Sequence, residues 1–267
     1  MQRFAVSRFI ACLLLFIMWG MPLKTSAGTV TSTVGEIITS VGKKTEVQQS
    51  KVKDYVRILN SRIQEKDKAG NVESTTLLEK KTYFKQPDKE KQEFIQATKN
   101  GKPMSEKDLQ PGMLAASFKK PATELAEEIL KELKAVIQLS PSCTNNFDFK
   151  LLREDTSGSV KTWVIEATSK STALKVKKAI LWIDQEKMRV VRLEAESIGN
   201  PSTFVKSIRV STDLSEVAPG IFLPKTTKIE TNLSKVSSKR LETLNEYSHY
   251  QLNVGIADTL FEKKGEE

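Results

Sequence analysis

Residues 179–197 read AILWIDQEKMRVVRLEAES. In the second half of this stretch Val191, Leu193 and Ala195 fall on one face of an extended chain, and Arg192, Glu194 and Glu196 fall on the other. That strand is therefore wet on one side. In the first half Ile180-Leu181-Trp182-Ile183 is apolar on both faces, which predicts cover on both sides, at least locally. With Gln185-Glu186-Lys187 between them, the two halves read as an antiparallel hairpin.

The same pattern repeats outward. Toward the C-terminus, 203–212 pairs with 222–233 through Ala218-Pro219-Gly220, and 240–252 closes the series. Toward the N-terminus, 147–154 pairs with 160–168 through Thr156-Ser157-Gly158. Earlier still, 54–66 pairs with 73–85 through Lys68-Ala69-Gly70-Asn71, and a third strand at 92–99 runs into the tight-turn dipeptide Asn100-Gly101. That makes about ten strands in meander order. Tyr55-Val56-Arg57-Ile58-Leu59 is also partly apolar on both faces.

Two segments break the β pattern. Residues 121–139 (PATELAEEILKELKAVIQL) place Leu125, Ile129, Leu133, Val136 and Ile137 at helical spacing. Glu124, Glu127 and Glu128 come early, and Lys131 and Lys134 later, as the helix dipole prefers. This amphipathic helix needs a sheet to lie on. Residues 34–47 are a weaker helix candidate, and 101–120, with Pro103 and Pro111, read as a polar connection carrying a short helical turn at 105–110. The expected class is α+β, mainly β, with one domain over 28–261 and a charged tail at 262–267.

The N-terminus reads as a secretory signal peptide over 1–27: Arg3 and Arg8, an apolar run Phe9 to Gly20, Pro22, then Thr25-Ser26-Ala27. The run is shorter than the roughly 20 residues of a spanning helix. Cleavage near Ala27 predicts an exported, periplasmic protein. The alternative, without cleavage, is an inner-membrane anchor. Cys12 does not read as a lipidation site, because the apolar run lies mostly after it. The whole chain has 267 residues and a net charge of +9, which becomes +6 when Arg3, Arg8 and Lys24 leave. Of two cysteines only Cys143 stays, so no internal disulfide is expected.

Scarcity of chemistry-bearing residues narrows the function. His249 is the single histidine, so a multi-histidine metal site is excluded, and HExxH and CxxC spacings are missing. No GxGxxG, Walker loop or GxSxG elbow occurs. Cys143, in the turn-like Pro141-Ser142-Cys143-Thr144-Asn145-Asn146, reads as an incidental small residue. No metal, cofactor or catalytic residue is expected. The basic runs 170–178 and 235–240 read as solvated strand surface, with anionic lipid or an acidic protein as further partners, and no nucleic acid.

Leu181-Trp182-Ile183-Asp184, Val190-Val191-Arg192-Leu193-Glu194, Ile208 to Thr212, Gly220-Ile221-Phe222-Leu223-Pro224, Tyr247 to Tyr250 and Ile256-Ala257-Asp258-Thr259-Leu260-Phe261 together resemble bacterial outer-membrane lipoprotein-sorting proteins, the lipoprotein-carrier (LolA/LolB-like) superfamily. The resemblance covers about 125–261, and the first hairpin with Asn100-Gly101-Lys102-Pro103-Met104-Ser105 looks like an elaboration in a larger relative. It implies a strongly curved antiparallel sheet, an incomplete barrel, with helices closing its concave side around an apolar cavity. In that family the cavity shields acyl chains in transit. Burying a methylene yields about 0.8 kcal/mol, so a sixteen-carbon chain gains on the order of 12 kcal/mol by leaving water.

The residues turned inward by alternation or helical spacing are Leu125, Ile129, Leu133, Trp163, Ile165, Leu181, Ile183, Val191, Leu193, Ile208, Leu223 and Ile229. They are the candidates to line such a cavity, and ordinary core packing is the competing account of each. The expected function is non-enzymatic binding of lipid or lipoprotein acyl chains, extending to outer-membrane lipoprotein sorting with an envelope transporter or outer-membrane receptor as partner. An envelope sensor domain using the same half-barrel to bind a protein is the alternative, and a carboxylate hydrolase is a third.

Overall fold

In a computed structural model that describes residues 33–105, 107–109, 120–233 and 239–262, eleven strands hydrogen-bond into one antiparallel sheet. They are β1 (Asp54–Lys66), β2 (Val72–Lys85), β3 (Lys89–Lys99), β4 (Lys102–Pro103), β5 (Phe147–Ser157), β6 (Val160–Ser169), β7 (Val176–Asp184), β8 (Arg189–Ser197), β9 (Val205–Ala218), β10 (Ile221–Leu233) and β11 (Arg240–Leu252). The order is β4-β3-β2-β1-β11-β10-β9-β8-β7-β6-β5. Two meanders are thus joined where the first strand pairs with the last, Leu59 opposite Tyr247 and Ile63 opposite Thr243. The sheet is not closed, because β4 and β5 stay unpaired on their outer sides. The mainly β, open-barrel class expected from the sequence is the one observed.

The helices are α1 (Val34–Lys51), α2 (Lys120–Gln138) and α3 (Pro141–Asn146), with a 3-10 turn at Asp258–Phe261. A capping box starts α1: Thr33 Oγ1 accepts from the Glu36 N–H (3.3 Å) and Glu36 Oε2 from the Thr33 N–H (2.8 Å). Along α1, Ile37, Ile38, Val41 and Thr45 face inward. Gly42 lets α1 cross the end of α2, since a Cβ there would meet the Leu139 carbonyl oxygen at 3.2 Å.

The curvature of the sheet follows from what α2 reaches. The Glu132 carboxylate accepts the N–H groups of Lys175 (3.0 Å) and Val176 (2.9 Å), at the start of β7. Two residues on, the Lys134 ammonium sits 5.2 Å from the ring centroid of Phe84, in β2. Six strand spacings separate β2 from β7, roughly 29 Å in a flat sheet. Side chains two residues apart on one helix reach both, so the sheet wraps around α2.

The core fills the β5–β10 side of this trough. Leu125, Ile129, Leu133 and Val136 of α2 join Ile37, Ile38 and Val41 of α1 and Ile165, Leu181, Ile183, Leu193 and Ile208 of the sheet in one buried cluster. Cover on both faces of β1 is provided locally: Val56, opposite the trough, lies under the C-terminal segment with Ile256. Asp54 ties that segment down, accepting from the N–H groups of Val254 (2.7 Å), Gly255 (3.2 Å) and Ile256 (3.3 Å).

Several details differ from the sequence reading. Ile180 and Trp182 are only half-buried on the outer face of β7, without a covering layer. Arg192 lies over the Trp182 ring (5.3 Å) and substitutes for one. In β8 a bulge places Val190 opposite Ile183 and Leu193 opposite Leu181, so Val190 occupies the inward position expected of Val191. Asn100 (φ 50°) and Gly101 (φ 77°) make the expected turn, but it leads into the two-residue strand β4, within the stretch expected to be a polar connection. Pro141–Asn146 is a short helix and not a turn, with Ser140 as N-cap and proline at its start. The signal peptide (1–27), the C-terminal tail from 263, most of the 101–120 connection and the basic residues 235–238 lie outside the described residues. Among the described residues no helix is long and apolar enough to cross a membrane.

Candidate functional site

Where α2 leaves the sheet uncovered, between its second face and β1, β2, β10 and β11, a cavity of about 670 Å³ opens. Its size is in the range of small-ligand sites. The wall is built by alternation: Tyr55, Arg57, Leu59, Ser61 and Ile63 of β1 all point into it, as do Leu241, Thr243, Asn245 and Tyr247 of β11. From above come Ala126, Leu130, Leu133 and Ile137, a second apolar row on α2 beside the core row. Phe222, Leu223, Pro224 and Ile229 of β10 and Leu214 of β9 complete the apolar lining.

Some polar side chains of the floor are paired with one another. Thr212 Oγ1 and Thr227 Oγ1 are 3.1 Å apart, and Ser61 Oγ donates to Asn245 Oδ1 at 2.7 Å. These four side chains satisfy one another, while the Thr231 and Thr243 hydroxyls also face the cavity.

One end of the cavity is aromatic and cationic. Tyr55 stacks on Phe84 (4.8 Å) and meets Tyr250 edge-on (5.7 Å). The Arg57 guanidinium lies 4.4 Å from the Tyr247 ring centroid, and its Nη1 donates to the Tyr250 hydroxyl (3.4 Å), which donates in turn to the Pro224 carbonyl (2.8 Å). Burial pushes the Tyr250 pKa up against the opposing pull of Arg57, so the phenol stays protonated and keeps donating. Arg189, only 8% exposed, donates from Nη2 to the Gly220 carbonyl (3.3 Å). Burial lowers its pKa, partly offset by Glu216. Gln48 of α1 holds the same end shut, its amide exchanging two hydrogen bonds of 2.9 Å with the Phe222 backbone.

Of the residues expected from the sequence to line a cavity, Leu133, Leu223 and Ile229 do so. Leu125, Ile129, Ile165, Leu181, Ile183, Leu193 and Ile208 are close-packed in the core, and Trp163 packs against its edge. Val191 is half-buried beside the bulge and belongs to neither group. Sequence reasoning missed the β1–β11 wall and, on α2, Ala126 and Leu130. Their row had a signal: Ala126, Leu130, Leu133 and Ile137 repeat with helical spacing of their own. Arg57 and Arg189 had none, because a surface arginine on a strand reads the same way.

Cys143 is 2% exposed, and burial pushes its thiol up to about 11, the opposite of a nucleophile's environment. His249 is exposed at a positive-φ position (53°) in β11, with Nδ1 3.0 Å from Ser248 Oγ. Among the described residues no group of three or more His, Cys, Asp or Glu side chains could hold a metal ion.

Fold and site together define an open antiparallel half-barrel with helices and a cavity on its concave side. A family model with the description "Uncharacterized protein" matches residues 137–265. A search of curated proteins gives no match. Among solved structures, the chain is similar to a domain assigned to outer-membrane lipoprotein sorting from Vibrio parahaemolyticus, at 11% identity, 84% of this chain, 97% of that one and a TM-score of 0.44. A DUF1329-family protein from Desulfovibrio piger matches at 10% identity, 84% and 97% coverage, and a TM-score of 0.40. A LolA-superfamily protein from Nitrosomonas europaea matches at 13% identity, 87% and 98% coverage, and a TM-score of 0.37.

Proposed function

We propose that the protein is a non-enzymatic binder of acyl chains, holding them in the concave cavity between α2 and the β1–β2–β11–β10 wall. The observation that carries this reading is the cavity itself: about 670 Å³ of open space, lined by an α2 row and strand residues that are apolar where they could have closed on one another. Apolar lining that no second layer covers stays in contact with water at a cost of roughly 25 cal/mol per Å², and a chain laid against it removes that cost. Sixteen methylene-sized groups moved there from water gain on the order of 12 kcal/mol, enough to offset the ordering of the chain.

Within this reading the cargo is the acyl chain of a lipid or lipoprotein, the compartment is the bacterial periplasm after removal of 1–27, and the cargo passes to an envelope transporter or outer-membrane receptor. Titration with the neutral environment-sensitive dye N-phenyl-1-naphthylamine, followed by displacement with a sixteen-carbon acylated peptide, tests it. A saturable isotherm with displacement is expected. A linear, non-saturating signal, or none, would overturn the reading.

A further inference from the structure

Chemistry along the cavity is uneven, and the unevenness is directional. Strand β1 runs its length, from Tyr55 and Arg57 to Ser61 and Ile63, and six residues from Arg57 to Ile63 span about 20 Å at the rise of a strand. Register fixes which neighbours stand at each level. Phe84 is opposite Tyr55, whereas Leu78 is opposite Ser61 and Thr243 opposite Ile63. The helix runs the same axis in reverse: Lys134 is over Phe84 at the first end, and Ala126 and Leu130 lie a turn or two back toward the other. The Arg57 end is therefore aromatic and charged, whereas the Ile63 end has no arginine and mixes Ile63, Leu78 and Leu241 with the hydroxyls of Ser61 and Thr243.

Both arginines at the first end are under-used. Arg57 Nε and Arg189 Nη1 are buried without a hydrogen-bond partner, and no carboxylate among the described residues lies in ion-pair contact with either guanidinium. Both reach the start of β10, Arg189 by donating to the Gly220 carbonyl in the turn before it and Arg57 through Tyr250 to the Pro224 carbonyl. The cavity as a whole is lined by Arg57, Lys80, Lys134 and Arg189 against Glu90 and Glu127, an excess of positive charge. Lys134 is over Phe84, Lys80 over Phe94 and the Arg57 guanidinium over Tyr247, so the donors left unmatched at this end are Arg57 Nε and Arg189 Nη1. A buried guanidinium without a counter-ion is costly, and the cost is removed by an anion with fork-accepting oxygens.

We infer that the cavity selects amphiphiles with an anionic head, a carboxylate or phosphate ester, held at the Arg57–Arg189 end with the acyl tail lying toward Leu78, Ile63 and Leu241. This rests on the acyl-chain reading of the cavity and names the class of ligand within it. A charge-assisted hydrogen bond contributes about 1.5–3 kcal/mol, so an anionic head should bind about tenfold or more tighter than a neutral one on the same tail.

Competition against N-phenyl-1-naphthylamine tests this on the purified protein. Hexadecanoate and monohexadecyl phosphate should displace the dye at about tenfold lower concentration than hexadecanol, and hexadecyltrimethylammonium should be the weakest. Inorganic phosphate alone should not displace it. Arg57→Gln and Arg189→Gln should each shrink the hexadecanoate-to-hexadecanol ratio, and Arg57→Lys should restore most of it, with thermal melts establishing that each variant is folded. Equal potency of hexadecanoate and hexadecanol on the unaltered protein would overturn the headgroup inference while leaving the acyl-chain reading standing, and that comparison needs no variant. A ratio unmoved by both glutamine variants, or displacement by inorganic phosphate alone, would overturn it as well. Failure of every amphiphile to displace the dye would overturn the acyl-chain reading, and this inference with it.

Discussion

Leu130 is a half-buried residue in the second row of α2 and faces the cavity without belonging to the packed core row. Leu130→Trp adds about six ring atoms, which point into open space and exclude about three methylenes of a bound chain. At about 0.8 kcal/mol each, that removes about 2.4 kcal/mol of binding, or about 50-fold in Kd. Because the ring enters a void, stability should change little; forced into a filled core the same substitution would cost about 1–3 kcal/mol. The assay is the dye titration on both forms, with thermal melts in parallel. Val47→Trp is the control, since Val47 is 52% exposed on α1 and does not line the cavity. An unchanged Kd in a Leu130→Trp protein that melts normally would refute occupancy of this cavity by the chain.

Leu181→Ala, at a fully buried core position away from the cavity, should cost about 2–5 kcal/mol in urea unfolding yet leave dye affinity of the folded protein unchanged; weakened binding in the folded state would contradict the separation of core from cavity. Asp54→Ala strips the acceptor from three backbone N–H groups and should cost about 2–4 kcal/mol, with faster hydrogen exchange at 254–256; undiminished protection there would show that the C-terminal segment is held by other means. Burial raises the Cys143 pKa from 9.0 to about 11, so the folded protein should resist thiol reagents at pH 8 and react on denaturation. The sign for stability follows: this group favours the folded state fully below pH 9.0 and loses that contribution as pH climbs toward 11, whereas rapid labelling of the native protein would overturn the burial.

Period-two alternation, tight-turn dipeptides and one strong amphipathic helix were enough to place ten of the eleven strands and both longer helices. Those signals are local, and each is enforced by the backbone a few residues away. Val191 shows where locality ends. Alternation puts it with Leu193, but the bulge that shifts the register lies in the pairing with β7, so Val190 takes the inward place. Likewise β4 is two residues long and exists because β3 offers it a partner.

The candidate site was less legible than the fold. Inward-facing residues were identified as a class, but most of them fill the core, and only Leu133, Leu223 and Ile229 reach the cavity. Periodicity tells which side chains share a face. It says nothing of whether another layer meets that face.

The sequence by itself determined the elements, their antiparallel order within each meander, and an apolar interior with little conventional catalytic chemistry, because hydrophobic period and turn residues act over short range. Only the tertiary structure decided that β1 pairs with β11, two elements nearly two hundred residues apart, and that α2 covers one half of the trough and leaves the other open. From that single joint come the β1–β11 wall, the cavity, and the meeting of Arg57 and Tyr250 at the end that Arg189 also lines. Such a meeting is set by how the curved sheet closes over its helix, a balance of packing across the whole molecule that no short stretch of chain encodes.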